Sequence, residues 1–236
     1  MLVENVIKDL VIYDLDGTLV DSAITVTKVL NSMRKKRRLL NLTVSEVRTL
    51  TSLGGKELIK RTIPCANKEI DKLLCEFRLI YSNTKLEQET VFDEVLETLS
   101  AIKRKGCKLS ICTNKPRHLA IKTLQELKLK SFFDAEICGD DTQYLKPSPK
   151  PLIELIKNFN TKLDSCCFIG DTIVDFKAAK KCGIDFILYD SGYDKELNLL
   201  YKPTRITRHS EALPYIFEDR CFTYVKAEGE KHEGSQ

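Results

Sequence analysis

Five short apolar runs, each bounded by turn or charge signals, limit what this chain can fold into. They lie at 10–15, 107–112, 134–138, 165–169 and 184–189, and each is short enough to be a strand buried on both faces. The stretches 91–106, 116–129, 148–159 and 172–183 carry apolar residues at helical spacing instead. Pro116 and Pro149 stand near helix starts, and Gly106 and Gly183 fall just past helix ends. Strands alternating with helices of this length require right-handed crossovers. The predicted fold class is therefore α/β, a Rossmann-like parallel sheet with helices on both faces.

Residues 21–90 break that rhythm. They read as helices throughout, with no convincing buried strand, so we expect an inserted all-helical cap domain. The predicted division is a core of residues 1–20 and 91–225, a cap of 21–90, and a disordered tail of 226–236, where "KAEGEKHEGSQ" is polar and charged. The cap is the basic part, with 14 Lys and Arg against 8 Asp and Glu. Over all 236 residues the net charge is only +4, which a solvated surface explains better than a nucleic-acid footprint does. The nine cysteines show no C-x-x-C pair of the kind that holds zinc. No apolar run reaches the roughly 18 residues of a membrane span, and "MLVENVIKDL" lacks the pattern of a signal peptide. We expect a cytoplasmic protein that binds neither nucleic acid nor membrane, as a monomer or homodimer.

The stretch "LVIYDLDGTLVDS" (10–22) runs apolar residues straight into Asp14 and Asp16, with Gly17 and Thr18 next. Two carboxylates at a buried strand end repel each other, so something positive is expected there. In an open parallel sheet, ligands bind at the carboxyl ends of the strands. Asp14 and Asp16 follow the first run, Thr113 and Asn114 the second, Lys146 the third at some distance, and Asp171 and Asp175 the fourth. Each alone has a bland explanation. D-x-D-G-T is a common turn composition, Lys146 before Pro147 fits a solvated loop, and Asp171-Thr172 fits a helix N-cap. Acid, hydroxyl, amine and acid at four strand ends together describe a site. Asp14, Asp16 and Asp171 make it too acidic to stand without a divalent cation, and Mg²⁺ suits carboxylate, carbonyl and substrate phosphate oxygens. Lys146 and the Thr113 hydroxyl would then serve phosphoryl oxygens.

"DLDGTLVDS", "CTNKP", "KPSPKP" and "GDTIVDF", in this order, resemble the four motifs of the haloacid dehalogenase superfamily. The helical insertion after the first motif resembles the phosphoglycolate phosphatase-like branch with a small cap, and "ILYDSGYDKEL" (187–197) resembles the strand and Gly-Tyr turn that close these folds. The resemblance implies a Mg²⁺-dependent phosphatase acting on a small phosphorylated metabolite through an aspartyl-phosphate intermediate. Asp14 would be the nucleophile. Asp16 would be the general acid and base, its backbone carbonyl joining Asp14 and Asp171 on the metal. Thr113, the Asn114 amide and Lys146 would hold the transferring oxygens, with Asp175 orienting Lys146 or a metal-bound water. Asp16 speaks for phosphate chemistry, because relatives that cleave carbon-halogen bonds lack a second acid there, and Thr18 agrees with a phosphatase.

The cap would choose the substrate by closing over the site. Its expected contact is "SLGGKEL", where Gly54 and Gly55 would let backbone approach the ligand and Lys56 would meet an anionic group, against the plainer reading of an interhelical turn. Arg34 to Arg38 reads as a solvated helix end, and His118 as a surface residue. A phosphomutase of the β-phosphoglucomutase kind, a nucleotidase or a pyrophosphatase would use the same fold. A non-catalytic scaffold is the remaining reading outside enzymes.

Overall fold

Alternation along the first strand decides the layering. In β1 (Leu10–Tyr13), Val11 and Tyr13 belong to one apolar cluster, and Leu10 and Ile12 to another on the opposite face. All four side chains are fully buried, as expected of a strand with helices on both sides. The structure is a computed structural model that describes residues 8–51, 54–191, 193, 201–218 and 224–226.

β1 pairs in parallel with β2 (Lys108–Cys112) on one side and β4 (Cys166–Gly170) on the other. β3 (Ala135–Ile137) extends the sheet beyond β2. β5 (Asp185–Tyr189) and β6 (Tyr201–Ile206) extend it beyond β4. The full order is β3-β2-β1-β4-β5-β6-β7, with the short β7 (Tyr224–Lys226) antiparallel to β6 at the edge. The chain builds outward one way from β1 to β3 and then the other way from β4, so the order reverses between β1 and β4. A crevice opens at such a switch point. The five expected strands are present, each within two residues of its predicted limits. β6 and β7 lie outside the predicted set.

Helices α5 (Val95–Arg104) and α6 (Arg117–Glu126) supply buried residues to the cluster around Val11 and Tyr13. α7 (Lys150–Asn158) and α8 (Ile173–Cys182) supply them to the cluster around Leu10 and Ile12. A one-turn helix α9 (Leu213–Phe217) follows β6. Between β1 and α5 come α1 (Ser22–Lys35), α2 (Val44–Thr51), α3 (Gly55–Thr62) and α4 (Ile70–Asn83). The chain leaves and re-enters the core through adjoining strands: Val20 bridges Val91, the Asp21 amide donates to the Thr90 carbonyl at 2.7 Å, and the Phe92 amide to the Leu19 carbonyl at 3.1 Å. The basic run at the end of α1 ties that helix to its neighbours. Arg34 donates to the carbonyls of Leu40 and Thr62, and Arg37 pairs with Glu76 at 2.7 Å. His118 is exposed.

Among the described residues, no helix is long and apolar enough to cross a membrane. Of the expected disordered tail of 226–236, Lys226 instead closes β7, paired with Tyr201 of β6, and the rest lies outside the described residues, as do Gly192 and 194–197 of the expected closing turn.

His209 is fully buried. Its Nε2 donates to the Thr18 carbonyl at 2.9 Å, and its ring stacks on Tyr189 at 4.2 Å. Burial lowers its pKa from 6.5 to about 4. The unfolded chain therefore binds the extra proton first, and stability is full above about pH 6.5 and falls as pH drops toward 4. The loss from this residue should be on the order of 3 kcal/mol. Urea unfolding between pH 7 and 4 should show it, and His209→Gln, which keeps a donor, should flatten that slope.

Candidate active site

Asp14 follows the last residue of β1, and its amide donates to the Ile169 carbonyl of β4 at 2.9 Å. Strand pairing thus carries on one residue past β1 and sets Asp14 at the switch point, alongside Asp171, which follows β4. Asp175 completes the group from the first turn of α8. One carboxylate oxygen from each of Asp14, Asp171 and Asp175 lies within 4.8 Å of the other two, and all three residues are buried. The capping residue of α8 is Thr172: its hydroxyl and amide donate to Asp175 Oδ2 at 2.7 and 3.1 Å. Asp171 is left free of that duty and turns into the cluster.

One cation answers these acids. Lys146 Nζ lies 2.8 Å from Asp14 Oδ1 and 2.7 Å from Asp175 Oδ1, and its side chain is 3% exposed. Its backbone is clamped by Asn114, whose side-chain amide donates to the Lys146 carbonyl at 3.0 Å and whose Oδ1 accepts from the Lys146 amide at 2.9 Å. Burial works against the ammonium, but Asp14 and Asp175 outweigh it and its pKa is raised. Burial pushes Asp14 up to about 6 against the pull of Lys146. Asp171 is raised well above the usual carboxylate range by burial and then by Asp175 and Asp14.

Asp171 accepts from the Thr18 hydroxyl at 2.9 Å through Oδ1, while its buried Oδ2 has no hydrogen-bond partner among the described residues. A hard divalent cation fits this donor set, since it takes carboxylate oxygens and removes the repulsion between them. Two glycines make room for the cluster. A Cβ on Gly17, whose φ is +83°, would sit 2.2 Å from Asp171 Oδ2, and one on Gly170 would sit 2.6 Å from Asp175 Cβ.

Asp16 departs from the expected acid cluster. Its carboxylate does not join Asp14 and Asp171 but pairs with Lys115, at 2.8 and 3.1 Å from the ammonium. The strand ends at Tyr13, Leu15 is buried in the core, and the chain turns at Gly17, whose amide donates to the Val20 carbonyl at 2.8 Å. Strand alternation therefore does not extend to residue 16. Lys115 also donates to the Tyr81 hydroxyl of α4 at 3.1 Å and lies 4.5 Å from that ring's centroid, which ties helical insertion to sheet. Lys115 stood inside the "CTNKP" stretch without a role in the sequence reading.

A cavity of about 210 Å³ joins these parts. Asp14, Asp16, Thr113, Asn114, Lys146, Asp171 and Asp175 line it from the sheet side, and Gly54 and Gly55 from the helical side. Lys56 does not line it. Its ammonium points to solvent and pairs with Asp71 at 2.7 Å, both side chains being largely exposed. α4 contributes most to the helical wall, with Leu74, Phe77, Arg78 and Tyr81, beside Val26 of α1 and Leu58 of α3. Spacings of three and four put the α4 residues on one helix face. That periodicity was legible, but not what the face would meet. Tyr193 also lines the cavity, holding Asp21 at 2.7 Å through its hydroxyl and accepting from the Ala23 amide at 3.0 Å.

Asp171→Asn keeps the contact with Thr18 and removes one buried charge from a crowded group. In the presence of chelator it should stabilise the fold by about 1–2 kcal/mol, measured by urea unfolding. A loss of stability would mean that the three carboxylates are not in conflict.

Residues 11–189 match the family model described as "Haloacid dehalogenase-like hydrolase". A phosphoglycolate phosphatase of Agrobacterium fabrum is 30% identical over 89% of this chain and 92% of its own length. One from Colwellia psychrerythraea is 31% identical over 81% and 89%. Among solved structures, a predicted phosphoglycolate phosphatase from Haemophilus somnus superposes with a TM-score of 0.79 at 24% identity, covering 88% of this chain and 97% of its own.

Proposed function

The chain belongs to the haloacid dehalogenase-like hydrolases, and on that premise we propose that it is a Mg²⁺-dependent phosphatase hydrolysing a small phosphate monoester of the phosphoglycolate type. The observation that carries this reading is the buried grouping of Asp14, Asp171 and Asp175, with the Lys146 ammonium against Asp14 and Asp175. The phosphoglycolate phosphatases similar to it over most of their length support the substrate class. The cavity of about 210 Å³ supports it too, being small for a ligand pocket and suited to a few carbons beyond the phosphoryl group.

In the proposed reaction Asp14 attacks phosphorus. The ester P–O bond breaks, the phosphoryl group passes to the Asp14 carboxylate, and the leaving alkoxide takes a proton from Asp16. A water molecule then attacks the aspartyl phosphate and gives its proton to Asp16, which releases inorganic phosphate and restores Asp14. Lys115 holds the Asp16 carboxylate at the cavity wall, ready to accept the proton of the attacking water, and the ion pair gives way while Asp16 carries that proton for the next leaving group. Lys146 and Thr113 stabilise the charge on the transferring oxygens, and Asp175 holds Lys146 in position. Mg²⁺, held by Asp14 and Asp171 with Asp175 and the Asp16 carbonyl beside them, would neutralise charge on the phosphoryl group.

The protein would act in a reducing compartment such as the cytoplasm. The eight cysteines among the described residues are free thiols, and six of them are buried. A free buried thiol serves as a small apolar side chain.

Phosphate release from a panel of small phosphate esters tests the reading. Asp14→Asn should lower turnover by at least about 10³-fold, on the scale of losing a catalytic nucleophile, while thermal unfolding still shows a folded protein; substantial residual turnover would remove Asp14 from its role. Excess chelator should silence the wild type, with activity returning on addition of Mg²⁺. Undiminished turnover in chelator would refute the metal requirement.

A further inference from the structure

Among the described residues three cations line the cavity, and two of them are already neutralised. Lys146 is held between Asp14 and Asp175, and Lys115 is held by Asp16. The third is Arg78, half-buried on α4. Its guanidinium has no ion pair or hydrogen bond among the described residues, whereas Glu76 and Asp71 of the same helix pair with Arg37 and Lys56. Leu58, Leu74 and Phe77 make the wall beside it apolar. A guanidinium drawn partly out of water with no anion to answer it carries an uncompensated desolvation cost, and a bound anion would offset that cost.

We propose that Arg78 binds a carboxylate at the far end of the substrate from its phosphoryl group, and so makes the enzyme selective for small phosphate esters that carry a carboxylate. The proposal rests on the phosphatase reading above and assigns its substrate class to one residue. A guanidinium presents two parallel N–H donors that match the two oxygens of a carboxylate. A second phosphate would bring about two charges and three oxygens to a single cation, whose polar company on the helical side is the hydroxyl groups of Ser22, Thr51 and Tyr81 and no second positive charge. The sheet side is arranged for the phosphoryl group and the helical side offers one positive charge across a small cavity, so the two ends of a short ester find different partners.

The test compares phosphoglycolate with ethyl phosphate, in which a methyl group replaces the carboxylate. Arg78→Ala should lower the ratio of kcat/KM for phosphoglycolate to that for ethyl phosphate by about 10- to 100-fold, the range of a lost charge-assisted hydrogen bond, mainly through KM. Arg78→Lys should recover part of it. A ratio within threefold of wild type in both variants would overturn the assignment. A wild type that turns over ethyl phosphate as efficiently as phosphoglycolate would overturn it too, while leaving the phosphatase reading intact. If ethylene glycol bisphosphate loses more than phosphoglycolate on Arg78→Ala, the subsite takes a phosphate and the carboxylate assignment fails. Should the wild type hydrolyse none of these esters, the phosphatase reading fails instead. Calorimetric titration of phosphoglycolate into Asp14→Asn, with and without Arg78→Ala, then decides on Arg78 alone: weakening by at least tenfold supports it, and equal affinities overturn it.

Discussion

Buried carboxylates outnumber the buried ammonium at the end of this sheet, and much of the surrounding architecture serves that imbalance. Asp14, Asp171 and Asp175 share one lysine, which reaches two of them. Like charges this close raise each other's proton affinity and resist burial. The fold supports them with fixed partners: Thr18 donates to Asp171, Thr172 to Asp175, and Asn114 clamps the backbone of Lys146, from which its ammonium reaches Asp14 and Asp175. A group held in such conflict is poised to take up positive charge, and the strain is tolerated because the site needs it.

The sheet explains why these residues meet. Asp14, Thr113 and Asp171 are far apart in sequence, yet each follows a parallel strand, and β2, β1 and β4 are neighbours. Reversal of strand order between β1 and β4 opens the crevice beside Asp14. The helical insertion then closes it, joined to the core by hydrogen bonds from Lys115 to Tyr81 at 3.1 Å, from the Leu86 amide to Glu126 at 2.9 Å and from the Gln88 side chain to the Leu127 carbonyl at 3.3 Å, and by Tyr193, which donates to Asp21 and accepts from the Ala23 amide.

The strands that carry the site were legible in the sequence because they are buried on both faces, and continuous apolar runs such as Leu10–Tyr13 and Cys166–Ile169 have no other simple explanation. β6 escaped because "YKPTRI" has Pro203 and Arg205 in a strand near the sheet edge, where burial no longer demands an apolar run. The positions of Asp14, Lys146 and Asp171 followed from the rule that ligands sit at strand ends. Asp16 did not follow, since its direction depends on where the strand stops and on the turn at Gly17. Lys115 was hidden for the same reason: its partner is a side chain 99 positions away. On the helical side, the pair of glycines drew attention to Lys56, yet an exposed lysine at a helix start reaches solvent as readily as a ligand, and it pairs with Asp71. Arg78 had no local signal, because one turn of α4 looks much like the next until the facing surface is known.

The hydrogen bond from His209 to the Thr18 carbonyl bears on the order in which the protein is made. The residue that braces the Thr18 backbone is made 191 positions after it. A nascent chain halted after α8 would already carry Asp14, Asp16, Thr113, Lys146, Asp171 and Asp175. It would lack the imidazole behind the first loop, so the contacts of the Thr18 backbone are complete only once the segment after β6 has been made.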